Sequence, residues 1–194
     1  ELGVKSATEL DGANACIQAR TSTELAIADY FRENKMKYKA VTFDTSDQTR
    51  SGFESGRCDF LVSDQSQLYA LRIGLKNPAA SVVLPEVISK EPLGPVVRQG
   101  DDAWFNVVKW SVNAMIEGEY QGVTSANADG MRANGKPGQK RLLGSEGDLG
   151  NKLGLSDKWA YNIIKQVGNY SESFERNVGQ GSPLKISRGL NAQW

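Results

Sequence analysis

The sequence predicts an α/β fold for its first ninety residues, followed by a mostly helical segment. Short apolar runs with β-branched residues alternate with amphipathic stretches in this first part. Such alternation favours right-handed crossovers and a parallel sheet. Beyond Pro85 the alternation stops, and two aromatic-rich stretches at residues 101–117 and 157–177 have helical spacing. We therefore predict an α/β ligand-binding unit at residues 1–90 and a mostly helical segment at residues 91–194.

The predicted α/β unit contains four strands and three helices. The strands are expected at residues 13–18, 38–43, 58–62 and 81–84, and the helices at residues 21–34, 44–53 and 63–75. Glu24 follows Thr21 by three positions, which is the spacing of a capping box at the start of the first helix. We expect the strand order 2-1-3, with the first strand in the centre. The chain then winds in opposite directions from that strand, and ligands bind at such a switch point.

The second part of the chain does not have enough strands to form a sheet domain. One lone strand is expected at residues 93–97, and the region 118–150 is rich in Gly, Asn and Ser, with a helix only near residues 125–132. We interpret residues 136–141 as a solvated loop. The two long helices are typical of segments that return to a second domain, here an incomplete one.

Composition excludes several classes of function. Lys and Arg number 23, as do Asp and Glu, so the net charge is zero, and neither nucleic acid nor an anionic membrane surface is expected as the main partner. The absence of histidine removes Ser-His-Asp and Cys-His catalysis and most zinc sites. Without a P-loop or a Rossmann glycine motif, we expect no enzyme, no metal and no cofactor. No signal peptide is visible at the start of the sequence, which predicts a mature, truncated or cytosolic chain.

Two polar segments follow the first and third predicted strands. Thr21 and Ser22 offer hydroxyls and backbone N–H groups at the positive end of a helix, where anions bind. Asp64 offers one carboxylate at the neighbouring strand end. These groups match the α-carboxylate and α-ammonium of a free amino acid. Each residue also has a structural interpretation: Thr21 and Asp64 as N-caps, Gln18 as a strand cap, and Arg20 as a solvent-facing cation rather than the partner of a carboxylate.

The two cysteines, Cys16 and Cys58, allow two interpretations from spacing alone. They are either two buried thiols or one disulfide. The predicted strand order makes their strands neighbours, so a disulfide is geometrically feasible.

At these segments the chain resembles the general L-amino-acid-binding proteins of polar-amino-acid ABC transporters, within the two-lobed periplasmic solute-binding proteins. The resemblance covers nearly the whole chain. Its most specific segments are Thr21-Ser22-Thr23-Glu24-Leu25, Gly56-Arg57-Cys58-Asp59, Ser63-Asp64-Gln65-Ser66-Gln67-Leu68 and residues 10–13, 85–95, 123–127, 141–144 and 167–192.

The resemblance implies a periplasmic-binding-protein type II-like lobe that closes with a second lobe over an L-amino acid. Thr21 and Ser22 would hold the ligand's α-carboxylate and Asp64 its α-ammonium. Gln18 and Arg20 are further candidate ligand-binding residues from the sequence itself. It also implies a disulfide between the two cysteines, a periplasmic location, and the membrane subunits of an ABC transporter as partners.

The chain departs from the family pattern in two ways. The family usually has glycine where this chain has Arg20. The sequence also lacks most of the N-terminal lobe, so residues 91–194 would be a return segment without its sheet. The alternative function is an interaction module that has lost ligand binding, in which apolar faces of the C-terminal helices pair in a homodimer.

Overall fold

The computed structural model describes residues 2–193. The chain divides into two compact units, one that ends at Pro92 and one that begins at Leu93. Within the described range, none of the helices combines the length and the apolar character that a membrane crossing requires.

The first unit is built on a three-stranded parallel sheet. Its strands are β1 (Asn14–Gln18), β2 (Lys39–Phe43) and β3 (Phe60–Leu61), in the order β2-β1-β3. Cys16 in β1 is level with Val41 in β2 and with Leu61 in β3. The predicted α/β class and strand order are therefore confirmed. The middle of β1 is fully buried, as expected for a central strand of a parallel sheet.

Three helices belong to this unit: α1 (Ser22–Glu33), α2 (Ser46–Glu54) and α3 (Gln65–Ile73). Helix α1 buries Ile27 and Phe31 in a core with Ile17 of β1. The Phe31 ring lies edge-on to Tyr38, with 4.8 Å between centroids. Because these apolar side chains recur on one face of α1, that face packs against the sheet. The helix begins at Ser22, shortly after β1 ends at Gln18, so its first turn follows the carboxyl end of β1.

A disulfide joins β1 to the segment that leads into β3. Cys16 and Cys58 are bonded, with 5.4 Å between their Cα atoms and a sequence separation of 42. Both are buried. The disulfide that the family resemblance implied is therefore present.

The second unit is helical over its described residues. Its helices are α4 (Asp102–Tyr120), α5 (Ala128–Asn134), α6 (Pro137–Leu142), α7 (Trp159–Val167) and α8 (Tyr170–Asn177). Its core is a small cluster of fully buried apolar side chains that includes Val123, Leu143 and Ile164.

Two predicted strands are wrong. Residues 81–84 and 93–97 form no strand; a short 3-10 helix at Pro78–Ala80 precedes the first of them. Val82 is 67% exposed and Val96 is 94% exposed, so their apolar side chains are not buried by a neighbouring strand. A β-branched sequence forms a strand only where another strand pairs with it.

The predictions for the helical part also need two corrections. The single helix expected at residues 157–177 is two helices, because Gly168 adopts a φ of 94° and Asn169 starts α8 with a capping box to Glu172. The predicted loop at residues 136–141 is largely helix α6. It begins with Pro137 at the first helical position, where the missing N–H of proline has no cost.

Candidate functional site

The carboxyl ends of β1 and β3 open onto one cleft of about 300 Å³. Its lining residues are Gln18, Thr21, Ser22, Thr23, Val62, Ser63, Asp64 and Gln67. The structure thus brings together four of the five predicted ligand-binding residues. The fifth, Arg20, is not part of this lining. Seven of the eight lining side chains are polar, so the cleft suits a polar molecule better than an apolar one.

Thr21 is the N-cap residue of α1, but its side chain makes no cap hydrogen bond. Its hydroxyl donates to the carbonyl of Gln18 at 2.8 Å instead. The predicted capping box is therefore wrong: the Glu24 carboxylate accepts from the backbone N–H of Arg20, at 3.1 Å. Since N–H groups in a first helical turn lack intrahelical acceptors, this uncapped turn can receive an anion.

Ser22 is the first residue of α1 and its hydroxyl already has an acceptor. The Ser22 Oγ donates to Oε1 of Glu91 at 2.6 Å. Both side chains are exposed. A hydroxyl that donates to an ionised carboxylate makes a charge-assisted hydrogen bond, which is stronger than a neutral one. The cleft therefore presents a hydroxyl that is chemically suited to a carboxylate.

Asp64 precedes α3 as its N-cap residue, yet its side chain makes no cap hydrogen bond. Its carbonyl, not its carboxylate, accepts the N–H of Leu68, at 2.8 Å. The side chain is exposed and lines the cleft. Its negative charge is consequently not used by the helix and can meet a cation.

Gln18 ends β1, and its amide donates to the carbonyl of Asp44 at 3.4 Å, a long hydrogen bond. This contact ties β1 to the residue after β2. The strand-cap interpretation of Gln18 thus describes one contact that the residue makes, and the side chain still borders the cleft.

Arg20 has a left-handed backbone, with a φ of 63°, and an exposed side chain. This conformation costs a residue with a Cβ about 1–2 kcal/mol. The turn between β1 and α1 is therefore one that glycine would form without strain.

Four lining residues were not among the predicted ligand-binding residues: Thr23, Val62, Ser63 and Gln67. The Ser63 hydroxyl donates to Oε1 of Gln67, and the Gln67 amide donates to Oγ of Ser46 at 2.8 Å. The spacing of four between Ser63 and Gln67, directly after a predicted strand, was the available signal, because such residues share a helix face. Their contacts fix the wall beside Asp64.

A larger hollow, of about 600 Å³, lies at the carboxyl end of β2. Phe43 and Arg57 line it, and the Arg57 guanidinium lies 5.1 Å from the centre of the Phe43 ring. We place the candidate site in the smaller cleft, because that cleft lies between β1 and β3, where the strand order reverses.

The cleft offers a first helical turn to an anion and one carboxylate to a cation. In the part of the chain that the structure describes, no group of three or more His, Cys, Asp or Glu residues could hold a metal ion. The arrangement is chemically suited to binding a small zwitterion.

No model of a known protein family matches the chain. Single proteins do match it. The amino-acid ABC transporter-binding protein YhdW of Escherichia coli (strain K12) is 65% identical over 195 residues, and AapJ of Rhizobium johnstonii, a general L-amino acid-binding periplasmic protein, is 55% identical over 195 residues. Each match covers 100% of this chain but 57% of the relative. The chain thus spans little more than half the length of these relatives.

A solved structure also matches the chain, and it too is a binding protein of an ABC transporter. An ABC transporter periplasmic binding protein from Brucella ovis, with glutathione bound, matches with a TM-score of 0.92 and 54% identity, over 99% of this chain and 60% of that one. The curated relatives are therefore named as binding proteins for amino acids, and the solved structure as a periplasmic binding protein of an ABC transporter. The resemblance inferred from the sequence is confirmed.

Proposed function

We propose, from these homologues, that the chain is a ligand-binding part of an amino-acid ABC transporter-binding protein that acts in the periplasm. The membrane subunits of that transporter would be its partners. The first turn of α1 would hold the α-carboxylate of an L-amino acid, and Asp64 its α-ammonium. The observation that supports this most is the cleft itself, which joins an uncapped helix start to an unused carboxylate.

The polarity of the cleft supports a zwitterionic ligand. Gln18 and Thr21 come from the segment between β1 and α1, and Ser63 and Asp64 from the segment between β3 and α3. Glutathione, which is bound to the Brucella ovis protein, carries a free α-ammonium and α-carboxylate on its glutamyl residue, as every free amino acid does. The shared recognition element is therefore the zwitterionic end of the ligand.

We propose further that the 194-residue chain binds such ligands weakly. The resemblance places the remaining ligand contacts on a lobe whose sheet this sequence lacks. Each missing charge-assisted hydrogen bond would cost about 1.5–3 kcal/mol of binding free energy, so the affinity would fall by several decades. Submicromolar binding by this chain in solution would contradict the half-site proposal.

Replacing Asp64 by asparagine tests the site directly. We expect Asp64→Asn to weaken binding of an L-amino acid by roughly tenfold or more, because a charge-assisted contact to the α-ammonium is lost. Isothermal titration with a panel of L-amino acids, at high protein concentration, measures the effect. Asp102→Asn is the matched control, since Asp102 is an acidic residue in the first turn of another helix. An equal affinity for Asp64→Asn and the unmodified chain would show that the site is misplaced.

The alternative function, an interaction module, has one observation in its favour. Large apolar side chains along α4 are exposed: Trp104 55%, Phe105 49%, Trp110 47%, Ile116 39% and Tyr120 74%. The homodimer itself has no support from the homologues. If sedimentation at high concentration shows a dimer that Trp110→Glu dissociates, and no amino acid binds, the interaction module replaces the binding function.

A further inference from the structure

A carboxylate of the chain itself already occupies part of the proposed carboxylate subsite. Glu91 lies 69 positions after Ser22, in an irregular segment, and its Oε1 accepts the Ser22 hydroxyl proton at 2.6 Å. The proposed ligand would bring a carboxylate to the same hydroxyl. The contact lies within the first unit.

The contact with Glu91 uses the hydroxyl proton that a second carboxylate would need. A serine hydroxyl has a single proton to donate, so Ser22 cannot donate to Glu91 and to a ligand at the same time. The negative charge of Glu91 also repels an incoming anion at short range. The helix dipole favours negative charge near the start of α1, and Glu91 together with Glu24 of the first turn already supplies it.

Glu91 can leave this position without disturbing the core. Its side chain and those of its neighbours Lys90 and Pro92 are exposed. The segment forms no strand and no helix. Displacement of Glu91 therefore breaks one exposed hydrogen bond and removes no buried side chain from the core.

We infer that Glu91 is an internal competitor for the carboxylate subsite, and that an amino acid binds by displacing its carboxylate from Ser22. This inference rests on the proposed function, and it makes the apparent affinity of the site depend on a residue that does not contact the ligand. The chemical class of the competitor and of the ligand group is the same, a carboxylate.

Four chains and two probes test the inference: the unmodified protein, Glu91→Gln, Ser22→Ala and the double variant, each titrated with L-glutamine and with sodium acetate. NMR shifts of the Ser22 and Thr23 amides report binding. We expect Glu91→Gln to bind both probes roughly five- to tenfold more tightly, because one hydrogen bond and one like-charge repulsion are removed. In the Ser22→Ala background the same change should have less effect. Glu33→Gln removes an exposed charge at the other end of α1 and should change neither affinity.

Several results would overturn the inference. Weaker binding by Glu91→Gln would mean that Glu91 assists the ligand, and equal binding would mean that it does not compete. If acetate binds more tightly to Glu91→Gln, but L-glutamine binds no more tightly than acetate to any chain, the competition holds. The proposed recognition of a zwitterion is then refuted. If L-glutamine binds equally to all four chains, the proposed function holds at a different set of contacts and the competition is refuted. If neither probe shifts either amide in any chain, the carboxylate subsite does not exist and both proposals fall.

Discussion

Glu172 shows how a single side chain in this molecule can be held in its charged form. Its carboxylate accepts the hydroxyl proton of Ser125 at 2.6 Å and the backbone N–H of Asn169 at 2.9 Å. Burial raises the pKa of Glu172, but these hydrogen bonds, with Arg176 nearby, outweigh burial and leave the pKa below its usual 4.5. The folded state therefore prefers the ionised carboxylate.

This preference predicts an acid-sensitive contribution to stability. A lowered folded-state pKa stabilises the fold fully above the unfolded pKa, near 4.5, and the contribution is lost as the pH falls through the lower folded value. We expect Glu172→Gln to have a lower free energy of unfolding than the unmodified chain at neutral pH. The difference between the two chains should become smaller as the pH falls below 4.5. Urea unfolding followed by tryptophan fluorescence between neutral and acidic pH measures this difference. Asp102→Asn is the control, and a difference that stays constant with pH would refute the prediction.

At the level of single residues, positions at strand ends could be predicted from the sequence, whereas long-range side-chain contacts could not. Thr21, Ser22 and Asp64 were predicted because each follows an apolar run, and a parallel sheet brings such ends to one edge. The Glu91 contact could not be predicted, because it joins Ser22 to an irregular segment that has no periodic pattern. The predicted capping box is wrong because the Thr21 hydroxyl donates to the carbonyl of Gln18. The spacing of residues in the sequence does not predict this hydrogen bond.

Among the elements, α6 depends on the turn that ends it. Gly144 follows this helix with a φ of 68°, and a Cβ at Gly144 would collide with the backbone carbonyl of Asp157. Gly154 has nearly the same φ, 69°, but open space around its Cα. The two glycines therefore separate backbone strain from steric collision.

The comparison gives a quantitative prediction. We expect Gly154→Ala to lower the free energy of unfolding by about 1–2 kcal/mol, from the left-handed backbone alone. Gly144→Ala should cost a further 1–3 kcal/mol, roughly, because the clashing atoms belong to the backbone and cannot rotate away. Urea unfolding of both variants measures the difference between their free energies of unfolding. Equal losses would mean that the chain around Asp157 moves without cost.

The errors at the scale of elements have two physical causes, the absence of a pairing strand and a glycine inside a helical pattern. Residues 81–84 have strand propensity but no strand beside them to pair with, and the stretch 157–177 has a helical pattern that Gly168 interrupts with a φ of 94°. Propensity gave the correct type for the buried elements β1 and α1, since there the pattern and the packing agree.

For the whole molecule, the disulfide should support the first unit in particular. Closing a loop of 42 positions stabilises a fold by roughly 3–4 kcal/mol in the chain-entropy model. We expect reduction, or a Cys16→Ala/Cys58→Ala variant, to speed amide hydrogen exchange in β1.

Tryptophan fluorescence supplies the internal reference, because all four tryptophans of the sequence come after residue 100. Removal of the disulfide should lower the free energy of unfolding reported by tryptophan fluorescence less than the free energy of opening reported by amide exchange at Ala15 and Ile17. Unchanged exchange in β1 after reduction would contradict the prediction, and equal shifts of both signals would show that the two units unfold as one cooperative body.

At this scale the sequence predicted the α/β first part, the strand order and the helical character of the second part. The resemblance supplied the pairing of the cysteines, which spacing alone left open. These features could be predicted because the apolar run of a buried strand and the apolar face of an amphipathic helix each extend over many residues of the sequence.

The bond between Cys16 and Cys58 also turns a linear stretch of chain into a covalent ring. The ring includes β1 from Cys16 onward, α1, β2 and α2. A protease that cuts the exposed turn at Asn34 and Lys35 would therefore leave both pieces attached, heavier by one water molecule. They would separate on a gel only after reduction. Nicked and intact molecules would thus migrate together until a thiol is added, and Thr21, Ser22 and Asp64 would remain in one molecule after the cut.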